Sequence, residues 1–320
     1  MESEPQSGRS ARALGTHSKV GVVNLASIAD SATLEAGCSA LHKLSGWQVE
    51  RPAALRPDGD FAGTPEARAA ALMQLWLRDD VDAIVCARGG YGSNYLVPLL
   101  DFDALKVKPK PFVGYSDNTS LLLALERAGI VSFHGPMVAS DFAAGRADVS
   151  SFRAALSGEP LDFAFPAGSG VQSLVDGEAQ GTITGGCLSV VVTSLGTPWE
   201  IQTAGKILFL EDVNEKHFRI DRMLMHLLLA GKFRGVRGII FGAMLGCSPA
   251  TVEAETLPQM ICRILGCLGV PIVYGVPSGH VPASNLTLPF GVPAVMRGDD
   301  FGVRLQVEPA MVVATQASKP

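Results

Sequence analysis

The sequence has 320 residues, of which 47% are hydrophobic and 18% are charged. That length and that apolar fraction suffice for two domains or for one large α/β unit with a sizeable core. The net charge of -5 provides neither the basic surface that binds nucleic acid nor the polybasic patch that binds a membrane, so we expect neither as a partner.

Residues 1–17 are polar and lack a hydrophobic period, which predicts a disordered N-terminal tail. This segment also lacks the apolar stretch of a secretory signal peptide. Nowhere does the sequence reach the run of roughly 18 apolar residues that a transmembrane helix needs. We therefore expect a cytoplasmic protein.

Residues 18–157 alternate between β-like and helical patterns. Thr64 followed by Pro65 is typical of a helix start, with a capping hydroxyl and proline at the first helical position. Such alternation predicts an α/β domain with a Rossmann-like parallel sheet that is covered on both faces. The predicted strands are residues 19–25, 47–49, 81–87, 111–115 and 130–133, and two of the predicted helices are residues 32–44 and 117–128.

Residues 158–181 are rich in Gly, Ser and Pro and have no sustained period, so we predict a linker there. A smaller, β-rich C-terminal domain is predicted over residues 182–310, and a flexible tail over residues 311–320. Within that domain Pro258 is expected to kink or restart a helix. The predicted strands are residues 206–212, 238–244 and 271–276, with short strands from residue 285 onward, and the helices are residues 220–229 and 252–265.

The six cysteines form no CxxC pair and no cluster with zinc-ligand spacing. We therefore expect no metal site, and we interpret the cysteines as small buried hydrophobic residues in a reducing compartment. They are Cys38, Cys86, Cys187, Cys247, Cys262 and Cys267.

Ser116 lies in the stretch GYSDN, between a predicted strand and a predicted helix. Serine is a favoured N-cap residue, so one interpretation is a helix cap. The other is a nucleophile, because free N–H groups and the helix dipole at this point would stabilise an oxyanion. The pattern resembles the nucleophile elbow GxSxG, with Asn118 in place of the second glycine. The side chain of Asp117 is expected to help start the helix.

A nucleophilic serine requires a base, for which the chain offers six histidines. Two of them, His134 and His280, lie in loops after predicted strands, where α/β folds place functional groups. The residues alone leave both candidates open. The others lie in the N-terminal tail, on helices or at a loop, and are His17, His42, His217 and His226.

Glu211 ends the apolar stretch KILFLE. A carboxylate in that position is costly to bury unless it is paired or used, so it could be the acid that orients the base. A salt bridge to Arg219 or Arg222 would explain it equally well. The neighbouring Asp212 could instead cap the following helix.

The stretch ARGGYG follows the core strand predicted at residues 81–87. Glycines there permit positive φ, so Gly90 and its neighbours could form a backbone nest that donates N–H groups to an anion. A tight strand-to-helix turn is the competing interpretation. The stretch has neither the Gly-Lys-Ser/Thr ending of a phosphate-binding loop nor the GxGxxG pattern of a dinucleotide site.

Taken together, these segments resemble the LD-carboxypeptidase family of serine peptidases, which includes muramoyltetrapeptide carboxypeptidases and microcin-immunity peptidases. They occur in the order of the family and span residues 82–291, about two thirds of the chain. The matching stretches are ARGGYG, FVGYSDNTSLLLAL, FHGPM, GTPWE, KILFLEDVNEKHFRIDRML, GIIFGAMLGC and GVPSGHVPASNLTLPFG.

The resemblance implies a triad in which Ser116 is the nucleophile, Glu211 the orienting acid and His280 the base. It implies an oxyanion hole made by the backbone amides of Gly90 and Asp117. It also implies that an α/β domain carries the serine and that a smaller β-rich domain carries the acid and the base, so that the site forms between them.

The function implied by the resemblance is hydrolysis of the terminal L,D-peptide bond of cytoplasmic muropeptides, with release of D-alanine during cell-wall recycling, by a homodimer without a cofactor. Arg88 is our candidate for binding the substrate carboxylate, and Tyr91 is a second substrate-binding candidate. Two other functions stay open: a peptidase that detoxifies microcin-type peptide–nucleotide antibiotics, and a non-catalytic protein that binds a small ligand.

The sequence departs from the family at two places. Where members often have a Pro-Ser-Ser stretch after the first strand, this chain has Asn24-Leu25-Ala26-Ser27. Cys187 replaces the usual asparagine of a GGNL segment. Both departures put the substrate specificity, rather than the triad, in question.

Overall fold

The computed structural model describes residues 11–248 and 255–311. Its first sheet has six strands in the order β12-β5-β4-β3-β1-β2. Five of them are parallel, and the last in sequence, β12, is antiparallel to β5. These strands are β1 (Lys19–Val23), β2 (Gln48–Glu50), β3 (Ala83–Cys86), β4 (Phe112–Gly114), β5 (Ser132–His134) and β12 (Leu288–Phe290).

Five helices connect or flank these strands. The predicted start of the second is confirmed, because Pro65 occupies its first turn and the Thr64 hydroxyl accepts from the Ala67 N–H at 3.3 Å. The fourth is buried along almost its whole length, as expected for a helix with the sequence TSLLLALER. The helices are α1 (Ser31–Ser45), α2 (Pro65–Leu77), α3 (Phe102–Val107), α4 (Thr119–Arg127) and α5 (Val149–Ser157).

The second sheet has eight strands in the order β6-β14-β13-β8-β9-β10-β11-β7. Its centre, β8 to β11, is parallel, and the strands on both sides are antiparallel. Three helices, α6 (Leu188–Thr193), α7 (His217–Leu229) and α8 (Leu257–Leu265), accompany it. The strands are β6 (Leu161–Pro166), β7 (Gln172–Val175), β8 (Gly177–Cys187), β9 (Lys206–Val213), β10 (Gly238–Leu245), β11 (Ile272–Tyr274), β13 (Pro293–Asp299) and β14 (Gly302–Val307).

The fold class is therefore as predicted: a parallel α/β sheet followed by a β-rich unit. The two parts share a core, since one cluster of buried side chains includes Val85 of β3 and Phe209 of β9. The chain also crosses the predicted boundary, because β12 lies beyond residue 182 and yet joins the first sheet.

The predicted linker at residues 158–181 is wrong, because this segment contains β6, β7 and the beginning of β8. Hydrogen bonding to β14 and β11 holds β6 and β7 in the second sheet. Two of the glycines that suggested a linker, Gly168 and Gly170, lie in the turn between β6 and β7 and have positive φ, and Gly177, also with positive φ, begins β8.

The ends of the chain also differ from the prediction. Residues 11–17 are not a disordered tail, because Ala11 and Leu14 are buried and the Leu14 N–H donates to the Leu156 carbonyl at 2.8 Å. Met311, assigned to the flexible tail, is buried. The rest of both predicted tails, at residues 1–10 and 312–320, lies outside the described residues, as does part of the helix predicted at 252–265.

Four of the six cysteines, Cys38, Cys86, Cys187 and Cys247, are buried with free thiols, as predicted. The prediction is wrong for the other two, Cys262 and Cys267, which are exposed. Among the helices of residues 11–248 and 255–311, none combines the length and the apolar character needed to cross a membrane.

Candidate active site

Ser116 lies on the tight turn that follows β4, and its φ of 62° places it in the left-handed region. Such a conformation in a residue other than glycine costs about 1–3 kcal/mol and is typical of functional sites. A single 3-10 turn, residues 116–118, continues directly into α4. This strand–turn–helix geometry is that of a nucleophile elbow.

His280 links Ser116 to Glu211. Its Nε2 lies 3.1 Å from Ser116 Oγ, and its Nδ1 lies 2.7 Å from Glu211 Oε2. The backbone N–H of His280 donates to the same carboxylate oxygen at 3.1 Å. Ser116 follows β4 of the first sheet, Glu211 lies on β9 of the second, and His280 lies on the connection from β11 to β12, so the three residues meet between the two sheets.

The carboxyl group of Glu211 is fully buried. Burial alone would raise its pKa, but contacts with His134 and His280 outweigh burial and hold the pKa well below its usual range. Burial of His280 opposes protonation of the ring, but the hydrogen bond and the charge of Glu211 prevail and raise the pKa of His280 above its usual 6.5. The carboxylate thus stabilises the imidazolium form.

The approach of His280 to Glu211 requires glycine at position 279. Gly279 has a φ of 103°, and a Cβ built on it would lie 2.4 Å from Glu211 Oε2. The Gly279 N–H donates to Asn285 Oδ1 at 2.9 Å, which fixes the loop. The loop backbone therefore lies directly against the acid.

The glycine loop after β3 packs against Ser116. A Cβ on Gly89 would lie 3.0 Å from Ser116 Oγ, and Gly90 has a φ of 116°. Among the described residues, no acceptor is found for the backbone N–H of Gly90 or of Asp117. Both N–H groups are therefore available to an anion, as an oxyanion hole requires.

The side chain of Asp117 has a different role from the one predicted. It does not cap α4; its carboxylate accepts from the N–H groups of Gly92 at 3.3 Å and Ser93 at 2.8 Å. The Ser93 hydroxyl in turn donates to the Asp117 carbonyl at 2.5 Å. Burial raises the pKa of Asp117, against the effect of these hydrogen bonds. The side chain thus ties the glycine loop to the Ser116 turn.

The two substrate-binding candidates flank this loop. The Arg88 guanidinium donates to the carbonyl oxygens of Ile28 at 3.0 Å and Gly89 at 3.2 Å, so part of it holds the loop. Tyr91 is 53% exposed, and its N–H donates to Ser27 Oγ at 3.2 Å. Ser27, in the stretch that departs from the family pattern, therefore supports the glycine loop.

Arg68 was missed in the sequence because it lies within α2, outside every motif that suggested chemistry. It is fully buried beneath the glycine loop. Its Nη1 donates to the carbonyls of Leu25 at 2.5 Å and Gly92 at 2.8 Å, and its Nε donates to that of Gly63 at 2.8 Å. It therefore joins three loops that border the site. An arginine that interrupts the apolar face of α2 was the available signal.

The other candidates occupy distinct places. His134 is fully buried, with Nε2 at 3.8 Å from Glu211 Oε1, and has no hydrogen bond to Ser116. Glu211 forms no ion pair with an arginine among the described residues. Asp212 does not cap α7; its carboxylate accepts from the N–H of Ser189 at 2.9 Å. Cys187, two residues before Ser189, pairs with Glu211 in the adjacent strand.

No cluster of His, Cys, Asp and Glu suited to a metal ion occurs within residues 11–248 and 255–311.

Comparison with known proteins agrees with this geometry. The LD-carboxypeptidase N-terminal domain matches residues 20–135, and the LD-carboxypeptidase C-terminal domain matches residues 180–296. The chain therefore belongs to the LD-carboxypeptidase family, a family of peptidases.

Several individual proteins are similar to the chain. A Bacillus subtilis protein named for murein peptide carboxypeptidase activity is 36% identical, over 89% of this chain and 90% of its own. The murein tetrapeptide carboxypeptidase of Pseudomonas aeruginosa is 33% identical, over 75% of this chain and 80% of its own. The microcin C7 self-immunity protein of Escherichia coli is 26% identical, over 76% of this chain and 79% of its own.

Among solved structures, the muramoyltetrapeptide carboxypeptidase of Oxalobacter formigenes superimposes with a TM-score of 0.83 at 27% identity. The match covers 92% of this chain and all of the other. The likeness therefore includes both sheets.

Proposed function

We propose that the chain is a serine-type LD-carboxypeptidase in which Ser116 is the nucleophile, His280 the base and Glu211 the orienting acid. The observation that carries the proposal is the continuous contact from Ser116 Oγ through the His280 ring to Glu211 Oε2, at 3.1 and 2.7 Å. The strained backbone of Ser116 and the free N–H groups of Gly90 and Asp117 support it.

The proposed reaction is acyl transfer in two steps. His280 Nε2 accepts the Ser116 proton while Oγ attacks the scissile carbonyl, and the N–H groups of Gly90 and Asp117 donate to the oxyanion. The imidazolium, stabilised by Glu211, then gives its proton to the leaving amine. Water, deprotonated by His280, releases the acyl group and restores Ser116.

The proposed substrate is a cytoplasmic muropeptide that ends in D-alanine, so that a tetrapeptide becomes a tripeptide during cell-wall recycling. The names of the relatives from Bacillus subtilis and Pseudomonas aeruginosa support this substrate class. Arg88 is proposed to bind the terminal carboxylate with the part of its guanidinium that the loop carbonyls leave free, and Tyr91 is proposed to line the cleft.

Replacement of Ser116 tests this proposal. In the native protein a meso-diaminopimelate L,D-tetrapeptide should release D-alanine, and a fluorophosphonate probe should label Ser116. Ser116→Ala should lower kcat/KM by about a thousandfold or more. Ser150→Ala, at an exposed position on α5, is the matched control and should keep full activity. Hydrolysis that survives in Ser116→Ala would exclude the triad. A native protein that releases no D-alanine and is not labelled by the fluorophosphonate would favour a protein that only binds a small ligand.

A second candidate substrate is an aminoacyl nucleotide of the microcin type. It is favoured by the similarity to the microcin self-immunity protein and by three aromatic rings beside the glycine loop. The Tyr91 ring lies 5.9 Å from that of Phe61 and 6.0 Å from that of Tyr95, and such a cluster could stack on a nucleobase. Processing of an aminoacyl sulfamoyl nucleotide without D-alanine release from the tetrapeptide would select this candidate.

We further propose that the protein acts as a homodimer. The exposed apolar side chains of α7, Phe218 and Leu229, support an interface on this helix. Sedimentation at several protein concentrations measures the assembly directly, and a monomer at all concentrations would contradict the proposal.

A further inference from the structure

The two carboxylate oxygens of Glu211 are held differently. Oε2 accepts from His280, whereas Oε1 is buried and has no hydrogen-bond partner among the described residues. His134 Nε2 lies 3.8 Å from Oε1 and is also buried without a partner among the described residues. Leaving a buried polar atom unpaired is unfavourable, so two such atoms that face each other point to an interaction between them.

The surroundings of His134 fix the direction of its ring. The ring stacks on that of Phe290 at 5.6 Å and lies 4.8 Å from the ring of Phe209 and 5.7 Å from that of Tyr115. Its Nδ1 lies 3.1 Å from the hydroxyl of Ser278, two residues before His280. With Nδ1 held in this way, Nε2 faces Glu211.

The other ionisable groups near Glu211 are already engaged. Asp141 accepts from the Met137 N–H at 2.9 Å and lies 3.4 Å from the Tyr115 hydroxyl. Asp212 accepts from two backbone N–H groups, and the Cys187 thiol lies 3.3 Å from a serine hydroxyl. His134 is therefore the ionisable group that is left to donate a hydrogen bond to Oε1.

We propose that His134 is a positioning residue of the peptidase. Its Nε2–H donates to Glu211 Oε1, and its Nδ1 accepts from the Ser278 hydroxyl, which turns to it from the Leu286 carbonyl 3.0 Å away and so steadies the loop of His280. This role rests on the triad proposed above. Hydrogen bonds of catalytic groups are often long in structures without substrate, and we take the 3.8 Å separation as a long form of this contact. His134, on β5, thereby fixes the acid and the base loop from the side of the nucleophile.

Three replacements of His134 separate its two contacts. His134→Gln places an amide nitrogen near the position of Nε2, and His134→Asn places one near the position of Nδ1. His134→Phe fills the aromatic pocket but has no nitrogen at either position. We expect His134→Gln to keep kcat/KM within a few-fold of the native value. His134→Asn and His134→Phe should lose about tenfold, mainly in kcat, because the carboxylate loses a donor.

The same replacements should change the titration of His280. Without a donor on Oε1, more of the Glu211 charge acts on His280 and favours its protonated form. The acid limb of the kcat/KM profile should therefore move to higher pH by about half to one unit in His134→Asn and His134→Phe. It should not move in His134→Gln. A loss of thermal stability with an unmoved pH profile would overturn the proposal and leave His134 as a packing residue.

Nitrogen-15 NMR of the native protein provides a test that needs neither substrate nor variants. We expect His134 Nε2 to carry a proton, and an unprotonated Nε2 would overturn the proposal. NMR titration of His280 in the His134 variants also proceeds without turnover. A native protein that releases no D-alanine would therefore refute the proposed substrate, while the NMR results still decide the role of His134.

Discussion

At the residue scale, the site depends on the backbone conformations of Ser116 and Gly279, which differ in the strain energy that they require. Ser116 adopts φ of 62° despite its side chain, and the surrounding turn holds the strain. Gly279 adopts φ of 103° without strain, and its missing Cβ leaves room for the Glu211 carboxylate. The conformation at position 116 thus presents a hydroxyl group, and glycine at position 279 permits the loop to contact the Glu211 carboxylate closely.

Gly279→Ala tests the close contact. The new methyl group would overlap Glu211 Oε2 and displace either the acid or the loop, so we expect kcat/KM to fall by about a hundredfold. Gly291→Ala is the matched control, because Gly291 has a φ of 80° with open space around the added carbon. It should cost about 1 kcal/mol of stability and little activity. Equal activity losses in both variants would show that backbone strain, rather than the contact, matters.

The pairing of His280 with Glu211 predicts the pH dependence. Because Glu211 raises the pKa of His280, kcat/KM should fall as the pH drops through that raised value, where the base is protonated. Glu211→Gln removes the charge, so the acid limb should move to lower pH while kcat falls by about a thousandfold or more. A pH–rate profile of both proteins measures the shift, and a limb that stays in place would contradict the pairing.

The same couple affects stability with a definite sign. The raised pKa of His280 contributes stability that is fully present below its usual 6.5 and is lost as the pH rises through the folded value. The lowered pKa of Glu211 contributes stability that is present above its usual 4.5 and is lost as the pH falls through the folded value. The pair therefore stabilises the fold most between pH 4.5 and pH 6.5.

At the scale of elements, the site is held by hydrogen bonds between loops. The carboxyl ends of β1, β3 and β4 meet at one edge of the first sheet, and the loops that follow them lie side by side. Arg68 joins the loops after β1 and β3 through their carbonyl groups. Asp117 joins the loop after β3 to the Ser116 turn through two N–H groups. These side chains position the N–H of Gly90.

Asp117→Ala tests this network. It would leave the N–H groups of Gly92 and Ser93 without their acceptor, at a cost of about 1–3 kcal/mol each if they stay buried, and would loosen the glycine loop that holds the proposed oxyanion donor. We expect a loss of both stability and kcat. Asp101→Ala removes a cap from the exposed start of α3 and should cost about 1 kcal/mol of stability without loss of kcat. Unchanged kcat in Asp117→Ala would contradict the network.

At the scale of the whole molecule, the connection between β11 and β12 couples the two sheets. It leaves the second sheet at residue 274 and reaches the first at residue 288, with His280 between. Asn285 in this connection donates its N–H to the Arg146 carbonyl at 2.6 Å and accepts from the Asp148 N–H at 3.1 Å. His280, the proposed base, is therefore held by the unit that carries Ser116, although it follows Glu211 in sequence.

This coupling predicts that the first sheet does not fold alone. A fragment of residues 1–157 lacks β12, so it would expose the edge of β5 and the apolar surroundings of His134. We expect this fragment to lack near-ultraviolet circular dichroism and cooperative unfolding, and co-expression with residues 158–320 to restore both. Cooperative unfolding of the isolated fragment would show that the two parts are independent domains.

Several features could be predicted from the sequence because local chemistry determines them. Thr64 and Pro65 define a helix start through their own side chains. Apolar periodicity indicated the alternation of strands and helices, and motif order indicated Ser116, Glu211 and His280. The segment at residues 158–181 was misjudged because its short antiparallel strands are half exposed and separated by glycine turns, so their composition resembles that of a linker.

Other features were decided only by the tertiary structure. The sequence by itself determined the order of elements and the residue types of the site, since both follow from neighbours along the chain. Only the fold decided that β12 pairs with β5, that Asp117 holds Ser93, and that His134 faces Glu211. These contacts join residues between 24 and more than 150 positions apart, so no local pattern of hydrophobicity or capping contains them. They exist because burying both sheets against one core brings distant polar groups into a space where each requires a partner.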